Sequence, residues 1–195
     1  MIMLLDGVWE FLPDSAKVYD ETNLPQEGWE KMRIPSNWEK EGLENYSGTV
    51  WFRTSFETPK EGKRHWIIFN GVDYETDVWI NGHYLGNHEG YFDPFKFEVT
   101  DYLKPMNQLL VKVSCEKEEP GSVWPHHKTS IRGVFGQHDC RPGGNSLVHG
   151  QDHGTGGIWN SVMLKSTSEL FLDTPRITPI LLSRKKGKAY NRGRL

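Results

Sequence analysis

Apolar residues in this chain recur at every second position, in runs of roughly five to eight residues, and nowhere in a long stripe of helical spacing. In Leu109–Glu116, Leu109, Val111, Val113 and Cys115 fall on one face, and Leu110, Lys112, Ser114 and Glu116 on the other. TVWFRTSF sets Val50, Phe52, Thr54 and Phe56 against Trp51, Arg53 and Ser55. FKFEVT sets Phe95, Phe97 and Val99 against Lys96, Glu98 and Thr100. HWIIFN is apolar on both faces, as an interior strand requires. A chain patterned this way buries one face of each strand against another sheet. The expectation is therefore an all-β sandwich of two antiparallel sheets with little helix.

Turn chemistry agrees. Asn81-Gly82 lies between Val78-Trp79-Ile80 and His83-Tyr84-Leu85, and this dipeptide tolerates the two positive φ angles of a type I′ hairpin. With 195 residues, 20 Gly and 11 Pro, the chain has room for one substantial core joined by many turns. Ile158–Lys165 is predicted as a closing strand. Pro175 and Pro179 mark a linker, and ITPILLS reads as the first strand of a further domain. The division expected is residues 1–173 for the sandwich and 174–195 for the linker and an incomplete second domain, with the ending KGKAYNRGRL read as a truncation.

Net charge narrows the function classes. The chain totals -3, with seven Arg and Lys and no acid from Thr174 onward. No stacking pattern of aromatics accompanies that basic tail, so no nucleic-acid partner is expected. The start MIMLLDGVW has neither the basic flank of a secretory leader nor the length of a membrane span, so no membrane partner and a cytoplasmic location are expected. Phosphate-binding and dinucleotide-binding glycine patterns are missing, and no cofactor is expected.

Chemistry-bearing residues gather in the irregular stretch from about Glu118 to Gly157. His126, His127, His138, Asp139, Cys140, His149, Asp152 and His153 include the usual ligand types for zinc, yet no H-x-x-x-H or C-x-x-C spacing orders them. Locally hydrogen-bonded loop histidines are favoured over a metal site, and no metal ligand is assigned. Cys140 stands directly beside Asp139 and His138, and sequence neighbours rarely take the geometry of a triad, so a partly buried thiol is the expectation; G-x-S-x-G does not occur. Trp38, Tyr46, Trp51, Trp79, Tyr91, Phe92 and Trp124 can offer faces to sugar rings, although most alternate into core positions. The stretch closes on QDHGTGGIWNSVML, where Gly154, Gly156 and Gly157 permit a sharp turn and a close backbone approach.

Four segments carry a resemblance. LDGVWEF, IPSNWEKEGLENYSGTVWFRTSF, FNGVDYETDVWINGHYLGNHEGYFDPFKFEVTDYL and GTGGIWNSVML occur in the order found in the N-terminal sugar-binding domain of glycoside hydrolase family 2. That family includes β-galactosidases, β-glucuronidases and β-mannosidases, and the similarity extends over about residues 4 to 170. It implies a galactose-binding-like jelly roll, followed by an immunoglobulin-like domain and a TIM barrel as downstream partners. In the family the barrel carries both catalytic glutamates for retaining hydrolysis. A barrel needs about 250 residues. The resemblance thus implies no catalytic residue in this chain, no activity alone, and a β-glycoside bound by the parent enzyme.

It also implies a role for the closing loop. In family members an acid just before the Gly-Ile strand contacts hydroxyls of the sugar being cleaved. Here that acid is Asp152, with His153 and Gln151 beside it. The family pattern places the acid one residue earlier, at the position this chain fills with Gln151. A free-standing lectin-like module and a small metalloenzyme built on the histidines stand as alternative expectations.

Overall fold

The computed structural model describes residues 1–44, 46–116, 156–170, 176–183 and 186–192. Among them are the strands β1 (Ile2–Leu4), β2 (Gly7–Asp14), β3 (Glu30–Ile34), β4 (Gly48–Glu57), β5 (Arg64–Phe69) and β6 (Glu75–Ile80). These are followed by β7 (His83–Glu89), β8 (Phe95–Glu98), β9 (Met106–Cys115), β10 (Val162–Thr167), β11 (Arg176–Ser183) and β12 (Lys186–Arg192). The described residues hold no α-helix, only single 3-10 turns at Trp38–Glu41 and Thr100–Tyr102.

Two sheets form the body, a six-stranded one in the order β3-β2-β4-β9-β6-β7 and a four-stranded one in the order β1-β10-β5-β8. All their pairings are antiparallel. The all-β sandwich expected from the alternation is the observed architecture. β9 sits inside the larger sheet, and its inner residues Leu109, Val111 and Val113 are fully buried. Each such aliphatic side chain contributes about 2 kcal/mol by leaving water. Val50 and Phe52 of β4 and Val78 and Ile80 of β6 extend the same layer. Ile67, Phe69, Val162 and Leu164 face it from the smaller sheet.

The Asn81-Gly82 turn has the geometry its sequence demands, with φ of 52° and 85°, and joins β6 to β7 with Ile80 opposite His83. HWIIFN becomes β5, which lies between β10 and β8. Two expectations shift in detail. Val99 leaves the β8 ladder to start the Thr100–Tyr102 turn. The closing strand begins at Val162 rather than Ile158, for a reason that belongs to the site below. Among the described residues, β11 pairs with β12 alone in a two-stranded sheet, so the tail read as one strand holds two antiparallel ones.

His65 of β5 is 7% exposed, and its Nδ1 lies 2.9 Å from Ser166 Oγ across the sheet. Burial holds its imidazole below the ordinary value of 6.5. His88, with its ring stacked 4.1 Å from Phe95, is lowered for the same reason. The unfolded chain then takes up protons before the folded one does, so stability from these groups is fully present above about pH 6.5 and is lost as pH falls from there through the lowered folded values. The urea midpoint is expected to drop between pH 7.5 and 5.5, and His65→Gln should flatten part of that slope. A midpoint that rose on acidification would contradict the burial argument.

Candidate functional site

The irregular stretch leaves the six-stranded sheet after Cys115 of β9, and the chain is described again from Gly156. Both ends meet at one rim of the sandwich. Gly157 and Asp73 exchange backbone hydrogen bonds, each N–H donating to the other's carbonyl at 2.9 Å. Cys115 Sγ donates to Asp73 Oδ1 at 3.8 Å, so the buried Asp73 carboxylate touches the last residue of β9 as well. Ser47 Oγ adds a 2.9 Å bond to the Cys115 carbonyl.

A second clamp comes from the Asn37–Trp38 corner. Trp38 N donates to the Gly156 carbonyl at 3.1 Å, and Ser36 N to the Ile158 carbonyl at 2.9 Å. The Trp38 indole lies flat against Gly156: a Cβ there would stand 2.1 Å from Trp38 Cζ2. Asn37 Oδ1 accepts from Glu39 N at 3.1 Å, capping the 3-10 turn that carries Trp38. Tyr46 meets the indole edge-on at 5.6 Å, and its hydroxyl donates to the Thr49 carbonyl at 2.6 Å. Burial first of all pushes the Tyr46 phenol up to about 12, so it is a neutral donor at any working pH.

The same construction repeats alongside. Trp159 packs over Gly71, where a Cβ would meet its Cζ2 at 2.6 Å, and Trp159 Nε1 donates to the Tyr91 carbonyl at 2.9 Å. Asn160 N donates to Gly71 O at 3.2 Å, while Asn160 Oδ1 accepts from Ser161 N at 2.8 Å. These bonds, main-chain and side-chain together, stand in for a regular ladder over residues 157–161, so β10 starts at Val162 although Ile158 is fully buried.

Aromatic rings edge the rim. Tyr91 and Phe92 meet at 4.4 Å, and Phe92 lies 6.1 Å from Trp159. Phe92 is 54% exposed, an open apolar face beside the point where Gly156 enters. Tyr74 stands 6.0 Å from Tyr91, and its hydroxyl donates to Glu89 Oε1 at 3.0 Å. Of these rings Phe92 is the exposed one, while Tyr91 is buried behind it. Among the described residues no group of three His, Cys, Asp or Glu is placed to hold a metal ion.

The sequence-assigned residues Asp152, His153 and Gln151 lie outside the described residues, as do Cys140, Trp124 and the histidines from His126 to His149. Of the aromatics considered for stacking, Trp38, Trp51 and Trp79 are buried and Phe92 is open. Asp73, Gly71 and Trp159 were not singled out as site residues. The signal for Asp73 was an acid placed between apolar β5 and β6, within the GVDYETDVWING segment.

A β-glucuronidase of Formosa agariphila is 28% identical over 184 residues, covering 86% of this chain and 17% of its own length. A β-galactosidase of Thermoanaerobacter pseudethanolicus is 27% identical over 127 residues, covering 60% of this chain and 17% of its own. The solved β-glucuronidase of an uncultured Clostridium shares the fold, with a TM-score of 0.73 at 20% identity over 100% of this chain and 33% of that one. This chain therefore spans about a sixth of the length of the curated relatives it matches. The model described as "Glycosyl hydrolase 2 galactose-binding domain-like" matches residues 36–141, from the Asn37–Trp38 corner through both central strands of the larger sheet. With more than half of its residues inside that match, the chain belongs to the glycosyl hydrolase 2 galactose-binding domain-like family.

Proposed function

We propose that this chain works as the non-catalytic sandwich domain of a longer β-glycosidase, to whose sugar site it lends Asp152, with His153 and Gln151 as helpers. One observation carries the proposal: Gly156, four residues after Asp152, is held at the rim by Trp38 and Asp73's partner Gly157. Four residues of chain reach at most about 14 Å, which supports a role for Asp152 near the rim where Gly156 is held. An ionised carboxylate accepts two hydrogen bonds from neighbouring hydroxyls of one ring. The names of the relatives, β-glucuronidase and β-galactosidase, support a β-glycoside as substrate. The self-contained β11–β12 sheet supports residues 174–195 as the start of a following domain, immunoglobulin-like in the family pattern, with the barrel and its two glutamates after it.

Retaining hydrolysis needs two carboxylates about 5 Å apart around the scissile bond. The 195-residue chain alone is expected to release no nitrophenol from nitrophenyl β-glucuronide or β-galactoside, while the polypeptide that continues into a barrel releases it from at least one. Turnover by the short chain would overturn the accessory role.

A further inference from the structure

The outer face of the six-stranded sheet does not have the polar character usual for a sheet's solvent side. Leu12, Trp51 and Trp79 form a second apolar cluster there, packed by Tyr19, Leu24 and Trp29. Alternation places these residues opposite the core: Trp51 sits between Val50 and Phe52, and Trp79 between Val78 and Ile80. The register then aligns two rows across the sheet, Trp51–Lys112–Asp77 and Leu110–Trp79–Tyr84.

The β2–β3 connection folds over one side of this face and is tied down. Asp14, 3% exposed, accepts from Val18 N at 2.9 Å and Tyr19 N at 3.1 Å, and lies 3.4 Å from Trp51 Nε1. Asp20 Oδ1 accepts from both Thr22 N at 2.8 Å and Thr22 Oγ1 at 2.6 Å. The result is a wall standing beside the sheet, with an open groove of about 330 Å³ between them. That volume is at the small end of the roughly 300–1,000 Å³ typical of ligand sites.

Tyr84 is the open aromatic of the groove. The residue is 54% exposed, its ring lies 5.2 Å from that of Trp79, and its hydroxyl donates to Asp77 Oδ1 at 2.8 Å. The ring is therefore held in place from behind with one face outward. Asp77 also lies 3.6 Å from Lys112 Nζ, so donors and acceptors alternate along the floor. Asp20 and Glu21 line the wall. Three carboxylates against one ammonium make the groove acidic.

We infer that this groove is a carbohydrate-binding site in its own right, taking a neutral oligosaccharide whose ring stacks on Tyr84 and whose hydroxyls meet Asp77, Lys112 and Glu21. The pairing of an apolar ring face with hydroxyl-matched polar groups suits a pyranose. The excess of acid disfavours uronate and sulfated chains. This site uses none of residues 151–153 and does not depend on their role.

The test is titration of the 195-residue chain with cellohexaose, β-1,4-galactohexaose and a galacturonate hexamer, followed by calorimetry and by tryptophan emission, since Trp79 touches Tyr84. Saturable binding of at least one neutral hexamer is expected, tighter than the acidic one. Tyr84→Ala should weaken it at least tenfold, and Tyr84→Phe, which keeps the ring, by less than threefold. Should Tyr84→Ala fail to fold, Glu21→Lys on the loop leaves the sheet untouched and should shift preference towards the galacturonate hexamer at least threefold. No binding by the parent chain, a preference for the acidic hexamer, or affinity indifferent to both Tyr84→Ala and Glu21→Lys would each overturn the inference.

Discussion

Gly156→Ala is expected to lower the stability of the sandwich by about 3 kcal/mol, at the upper end of what overpacking costs. The added methyl would stand 2.1 Å from Cζ2, 2.4 Å from Cε2 and 2.5 Å from Cη2 of Trp38, so three ring atoms must give way at once. The indole has little freedom to do so. It is fully buried, flanked by Tyr46 at 5.6 Å, and its backbone N–H is bonded to the Gly156 carbonyl itself. For a domain of this size the loss corresponds to roughly 6–12 °C in Tm. Trp38→Phe removes the six-membered ring that the methyl would strike. Scanning calorimetry of the two single variants and the double variant should therefore show strong non-additivity, with Trp38→Phe costing less in the Gly156→Ala background than alone. Additive losses would mean that the Gly156–Trp38 contact does not fix the loop's return.

Asp152→Ala in the longer enzyme is expected to lower kcat/KM by about 10²–10³-fold. Hydrogen bonds to a charged group are worth about 1.5–3 kcal/mol each, and the carboxylate is proposed to hold two hydroxyls, not both at full strength. Asp152→Asn keeps one acceptor and should lose less. Gln151→Ala and His153→Ala remove neutral partners worth about 1 kcal/mol each and should fall within tenfold. Steady-state kinetics on nitrophenyl β-glycosides measures all four. Equal losses of kcat and kcat/KM would place the contact in the transition state, whereas a loss in KM alone would place it in ground-state binding.

Much of the architecture was legible because alternation and burial are the same physical fact seen twice. Val111 and Val113 point inward in β9 because a half-buried strand has no other place for them, and Lys112 between them points out. Asn81-Gly82 dictated its own turn through the positive φ angles that few other pairs tolerate. The glycines of GTGGIW announced a close approach, but not what they approach. Trp38 and Asp73 come from distant parts of the chain, and no local pattern names a partner across the sandwich. The start of β10 was misplaced because Ile158 is as buried as any strand residue, yet Trp159 and Asn160 spend their polar groups on Tyr91 and Ser161. The groove beside Tyr84 escaped notice for a similar reason. Alternation put Trp51 and Trp79 on the outer face, but only the tie of Asp14 to Val18 and Tyr19 shows that a loop folds over them.

The most direct test of the domain's contribution to sugar recognition couples Asp152 to the substrate itself. In the longer enzyme, kcat/KM is measured for the parent and Asp152→Ala, each with the full nitrophenyl β-glycoside and with analogues lacking one ring hydroxyl. For the hydroxyls that Asp152 holds, removing the group from the sugar and from the protein should overlap, leaving a coupling of at least about 1.5 kcal/mol. Strictly additive losses at every ring position, with Asp152→Ala costing the same whichever hydroxyl is missing, would show that this carboxylate does not touch the sugar.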